Sequence, residues 1–110
     1  MPANSLDEVR QLAAEDDLCE FFGVVLDELR RRGLDSDDLR EIIQSELGDA
    51  HYSKSKETER YHPGTTSDYF SIWIDECGAY MFLKLLVRTT SDGSRRLVVT
   101  SFKVDDRHAP

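Results

Sequence analysis

Hydrophobic spacing divides the chain into a helical first half and a stranded second half. Ser5-Leu6-Asp7-Glu8 carries a capping-box pattern, and Leu6, Val9, Leu12 and Ala13 follow at three- and four-residue steps, which predicts a short amphipathic helix. Acidic Glu15, Asp16 and Asp17 suit the positive end of a second helix, whose apolar face would be Leu18, Phe21, Phe22, Val25, Leu26 and Leu29. Arg30, Arg31 and Arg32 close it before Gly33, the residue type that most readily takes the left-handed turn after a helix. A third helix begins near Asp35 or Ser36, buries Leu39, Ile42, Ile43 and Leu47, and stops at Gly48. The acidic helix faces read as solvated surfaces, and the arginine triplet as a helix terminus rather than a phosphate clamp.

From Asp49 to Asp68 the periodicity lapses, which predicts a polar loop with a turn at Pro63-Gly64. Alternation follows. Phe70, Ile72 and Ile74 oppose Tyr69, Ser71, Trp73 and Asp75. After a turn at Glu76-Cys77-Gly78, a strand from Ala79 to Arg88 sends Tyr80, Phe82, Lys84 and Leu86 to one face and Met81, Leu83, Leu85 and Val87 to the other. Ser91-Asp92-Gly93-Ser94 signals a hairpin. A last strand, Leu97 to Val104, alternates Val98, Thr100, Phe102 and Val104 with Leu97, Val99, Ser101 and Lys103. The expected fold class is α+β, with N-terminal helices packed on a C-terminal antiparallel sheet. It forms a single domain over 1–110, with a helical part about 5–48, a polar loop 49–68 and a three-stranded meander 69–104.

Length and composition narrow the function. The 110 residues allow one modest core, and 39% hydrophobic content excludes wholesale disorder. No window approaches the apolar length of a membrane span, and the N-terminus lacks a secretory pattern. Cys19 and Cys77 lie in different elements and cannot frame a metal site or disulfide scaffold, so a reduced, cytoplasmic setting is expected. The net charge of −8 argues against general nucleic-acid binding. The charge is uneven, however. Residues 1–50 hold 14 acids against 5 arginines, whereas residues 51–110 hold 8 acids against 9 basic residues and all four lysines. An anion-handling surface belongs in the second half.

The candidate chemistry is a basic and aromatic cluster. Lys54, Lys56, Arg60 and His62 lie on the expected loop, and Lys84 and Lys103 on adjacent strands. If register allows, Lys84 and Lys103 meet on one face beside Tyr80 and Phe82. Lysines among aromatics suit single-stranded RNA, whose bases stack while ammonium groups neutralise phosphate. There is no Gly-rich phosphate loop, HExxH, GxSxG or zinc-type Cys-His spacing.

Several stretches carry a family likeness. Gly33-Leu34-Asp35-Ser36-Asp37, then Ile42-Ile43, then His51-Tyr52-Ser53-Lys54-Ser55 resemble the "GLDFD…VII…FYKS" stretch of motility quorum-sensing regulator (MqsR-type) toxins. Ser71-Ile72-Trp73-Ile74-Asp75 is similar to their "TIWQD", Phe82-Leu83-Lys84-Leu85 to "YLKI", and Val99-Thr100-Ser101-Phe102-Lys103 to "VSFK". The order is kept over most of residues 33–103. The resemblance implies a RelE-like toxin fold and an mRNA-cleaving endoribonuclease neutralised by a cognate antitoxin. It carries the family's loop lysine to Lys54 and its C-terminal strand lysine to Lys103. Ile74 stands where the family has glutamine, and Phe82 where it has tyrosine.

The mechanism expected is metal-free and cofactor-free transesterification, in which an RNA 2′-hydroxyl attacks its neighbouring phosphate. Lys54 and Lys103 would stabilise phosphorane charge, with Tyr80 or His62 moving the proton. Lys56, Arg60 and Lys84 would hold RNA and Trp73 would stack a base. Read blandly, Lys56 and Arg60 balance Glu57 and Glu59, Tyr80 is a sheet aromatic, His62 a solvated loop residue, and Trp73 part of the core. Two other classes fit the same residues: a relative that has lost catalysis and binds a protein through its acidic helical half, and an acidic nucleic-acid mimic.

Overall fold

The computed structural model describes residues 1–58 and 60–108, with the backbone alone at His108. The order of elements is α1 (Leu6–Ala13), β1 (Cys19–Phe21), α2 (Gly23–Arg31), α3 (Ser36–Ser45), β2 (Tyr52–Glu57), β3 (Thr66–Ile74), β4 (Ala79–Thr89) and β5 (Arg95–Val104). Three-residue 3₁₀ turns at Asp16–Leu18, Asp49–His51 and Asp106–His108 lie between or after them. The fold is α+β, as the hydrophobic pattern predicts.

The helix ends follow from local chemistry. Ser5 Oγ accepts from the Glu8 amide at 3.3 Å, but the Glu8 carboxylate is taken by Arg95 at 2.7 Å, so only half of the expected capping box forms. At α3 the box is complete: Asp35 accepts from the Asp38 amide and Asp38 from the Asp35 amide, both at 2.9 Å. Gly33 takes φ +73° after α2, letting the Leu34 amide donate back to Leu29 at 2.9 Å. Arg30, Arg31 and Arg32 pair with Asp27 and Glu28 on their own helix, which makes them a helix terminus.

The sheet differs from the expected meander in two places. It has five strands in the order β1-β5-β4-β3-β2 and is mixed, because β1 runs parallel to β5. The second helix therefore begins at Gly23 rather than at the acidic cluster. Cys19–Phe21 fits helical spacing with the residues after it, so periodicity alone cannot mark it as a strand. What decides is the open edge of β5, whose unpaired carbonyl at Val99 receives the Phe22 amide at 3.0 Å. At the other edge, Tyr52–Glu57 is a strand and not part of a long loop. Its lysines and serines hide the alternation, and its inward Ser55 faces a polar partner, Asp68, across the ladder.

A bulge sets the register of β5. Lys84 pairs with Ser101 and Leu85 with Val99, leaving Thr100 as the extra residue. Leu97 and Val99 thus share the inner face with Phe102, where strict alternation would separate them, while Val98, Ser101 and Lys103 lie on the outer face. The three helices cover the inner face, and Val9, Leu29, Leu39, Ile43, Phe70, Met81, Leu83 and Val99 are fully or almost fully buried between the layers.

Candidate RNA-binding face

Strand register places all four lysines on the outer face of the sheet. Lys54 on β2 pairs with Tyr69 on β3, Tyr69 with Lys84 on β4, and Lys84 with Ser101 on β5. One step along, Ser71, Phe82 and Lys103 form the next row. Lys56 pairs with Ser67 on the other side of Lys54. The ammonium groups of Lys54 and Lys84 lie 5.4 and 5.3 Å from the centre of the Tyr69 ring. Lys103 lies 5.5 Å from the Phe82 ring, which Arg107 approaches to 5.9 Å. The Tyr69 and Phe82 rings meet edge to face at 5.5 Å. Cation–π contact holds the cations in place without neutralising them.

These lysines have no acidic partner among the described residues, where every ion pair uses an arginine. Glu59, a balancing charge expected for Lys56 and Arg60, lies outside the described residues. Lys54, Tyr69, Phe82, Lys103 and Arg107 line one cleft of about 320 Å3. Asp105 and Asp106 line it too. Asp105 is almost fully buried, and the Ser71 hydroxyl it accepts from, set against the cost of burial, holds its carboxyl below the usual range. The Arg107 amide, at 3.1 Å, and guanidinium add to that effect. Its charge is thereby directed to Ser71 and Arg107.

A second cleft, of about 420 Å3, continues from Tyr69 over Lys84, Ser101 and Thr100 to Lys56, Arg60 and Tyr61. Its far wall is the Phe22 ring, against which Tyr61 packs edge to face at 5.0 Å. Leu86 and Val98, the next outer pair beyond Lys84 and Ser101, are fully buried. This end of the face is therefore closed.

The expected site residues divide accordingly. Lys54 and Lys103 come together in one cleft, and Lys56, Arg60 and Lys84 in the adjoining one. Tyr80 and Trp73 do not join them. They pair with each other one row beyond Phe82, rings 5.3 Å apart, and line a third cleft with Ser71, His51 and Glu46. Trp73 is 46% exposed, so it is not the core residue that a lone tryptophan often is. His62 sits at φ +52° in the 58–65 connection, its carbonyl accepting from Thr65, and lines none of these clefts. Pattern reading passed over Tyr69 and Arg107. Tyr69 was visible as an outward position on β3, but its place between two lysines depends on cross-strand register. Arg107 reaches the cleft only through the turn after β5.

Among the described residues, no three His, Cys, Asp or Glu side chains gather as metal ligands. No helix there is long and apolar enough to cross a membrane. Comparison of the chain with family models and with curated proteins finds no match.

Proposed function

We propose that the chain is an endoribonuclease acting on single-stranded mRNA. The supporting observation is the convergence of Lys54, Lys103 and Arg107 on one cleft, with both lysines free of acidic partners among the described residues. Lys54 and Lys103 at such a cleft would meet the requirement of 2′-hydroxyl attack on phosphate, which builds negative charge on the phosphoryl oxygens, whereas Arg107 is already paired with Asp105. Tyr69 borders both this cleft and the Lys84 cleft, and takes the proton-transfer role expected of Tyr80, which lies a row away beyond Phe82. The resemblance of Gly33–Asp37, His51–Ser55, Ser71–Asp75 and Val99–Lys103 to MqsR-type toxins extends the reading. The enzyme would be the toxin of a bacterial toxin–antitoxin pair, acting in the cytoplasm and held in check by a cognate antitoxin.

The test is cleavage of end-labelled single-stranded RNA by the purified protein. Products ending in 2′,3′-cyclic phosphate are expected, with cleavage blocked by a 2′-deoxy substitution at the cut site. Lys54→Ala and Lys103→Ala should each slow cleavage about 100-fold, the usual cost of removing a group that stabilises developing charge. Induced expression should arrest growth, and either substitution should relieve it. A wild-type protein that leaves RNA intact and growth unaffected overturns the proposal.

A further inference from the structure

The cleft beyond Tyr69 differs in kind from the one that holds Lys54 and Lys103. Lys56 on β2, Arg60 in the connection after it and Lys84 on β4 line a volume of about 420 Å3. None of the three has an acidic partner among the described residues. Glu57 lines the cleft too, but it follows Lys56 directly on β2, and strand alternation turns its side chain toward the opposite face. Ser101 adds a hydroxyl beside the Thr100 bulge.

The cleft is also a dead end. Phe22 and Tyr61 stand edge to face at its far wall, and Leu86 and Val98, next in line on β4 and β5, are fully buried. At the following outer position Arg88 is taken by Glu20 of β1, at 2.9 Å. A strand arriving from the Lys54 and Lys103 cleft has no exit here, so what this cleft receives is a strand end. An internal phosphodiester brings one negative charge. A terminal phosphate monoester brings about −1.5 to −2 at neutral pH, with three acceptor oxygens. Three cations without acidic partners around a closed pocket match the monoester.

We infer that Lys56, Arg60 and Lys84 form a site for the terminal phosphate monoester of an RNA strand. This rests on the RNA reading of the lysine face and names the class of substrate: strands with a phosphorylated end. Tyr69 borders both clefts, so the bond that is cut lies close to that end. Attack by the 2′-hydroxyl breaks the bond from phosphorus to the 5′-oxygen, which leaves with a proton. The products end in a 2′,3′-cyclic phosphate and a 5′-hydroxyl, and neither is a monoester. The phosphorylated ends that the site takes must therefore come from a different class of hydrolase, one that leaves a phosphate monoester on RNA.

The experiment measures binding of the full chain to 2′-O-methyl octanucleotides, which cannot be cut, by fluorescence anisotropy. One pair carries a hydroxyl or a phosphate at the 5′ end, a second pair a hydroxyl or a phosphate at the 3′ end, each with the fluorophore on the other end. A phosphate at one end should tighten binding about tenfold, and the pair that gains identifies the strand's polarity. Lys56→Ala and Arg60→Ala should each erase most of that gain, whereas Lys103→Ala should weaken hydroxyl- and phosphate-ended strands alike. With a cleavable strand phosphorylated at the favoured end, cuts should map to the linkages nearest that end. Equal gains at both ends that persist in Lys56→Ala and Arg60→Ala reflect general charge attraction and overturn the site. Hydroxyl- and phosphate-ended strands that bind and are cut alike also overturn it, while sparing the nuclease reading. Failure of every strand to bind or be cut overturns both.

Discussion

Asp68 is a carboxylate with no exposed surface that joins no ion pair among the described residues. It is satisfied entirely by neutral donors: the amides of Ala3 and Asn4 at 2.8 Å, Asn4 Nδ2 at 2.9 Å and the Ser55 hydroxyl at 2.5 Å. This network ties the N-terminal residues to β3 and to the edge strand β2 that carries Lys54. Asp68→Ala leaves several buried donors without an acceptor and is expected to cost about 3 kcal/mol, read as a lowered urea midpoint at unchanged slope. Asp105 makes a pH-dependent contribution. Its carboxyl titrates below its ordinary value, mainly because Ser71 donates to it. The stability it provides is therefore present above the unfolded value of about 3.9 and lost as pH falls through the lower folded value. The acid limb of a stability–pH curve should be shallower in Asp105→Asn than in wild type. The Cys19 thiol is pushed up to about 11 by burial, opposed by Arg40, and burial raises Cys77 as well. Both should react with iodoacetamide at pH 8 at least several-fold more slowly than free cysteine, until urea exposes them.

At the scale of elements, the two helix caps offer a matched comparison. The reciprocal bonds at Asp35 serve α3 fully, whereas Ser5 makes one longer bond at the start of α1. Asp35→Ala should cost about 1 kcal/mol or more and Ser5→Ala about half that, measured by thermal unfolding. In the β4–β5 hairpin, Gly93 sits at φ +88° and Asp92 accepts from Thr90 Oγ1 and from the Ser94 amide and hydroxyl, so the turn signal in the sequence corresponds to a built turn. The helix faces and the alternation of β3 and β4 were legible because each is a local pattern with one apolar side. Two strands were not. β1 has three residues, too few to show a period of two, and β2 pairs its inward Ser55 with Asp68 instead of presenting an apolar face.

For the molecule as a whole, the sheet separates charge. The acid-rich helices lie on the inner side and all four lysines on the outer side, so a net charge of −8 coexists with a cationic face. A polyanion approaching the outer face is attracted locally although the protein as a whole repels it. If Lys54, Lys84 and Lys103 each neutralise one phosphate, the logarithm of the RNA association constant should fall with the logarithm of salt concentration at a slope of about −2, from ~0.7 per single-strand phosphate. Removing one lysine should flatten that slope by about 0.7.

By itself the sequence determined the α+β class, the buried faces of α1, α3, β3 and β4, and the confinement of lysine to the second half, because each depends on residues close together in the chain. Tertiary structure alone decided the parallel addition of β1, the Thr100 bulge, and the meeting of Lys54, Tyr69, Lys84, Phe82, Lys103 and Arg107 on one surface. Those features are set by which strand edges find hydrogen-bond partners and in what register. That pairing joins residues dozens of positions apart, and no spacing within a single segment encodes it.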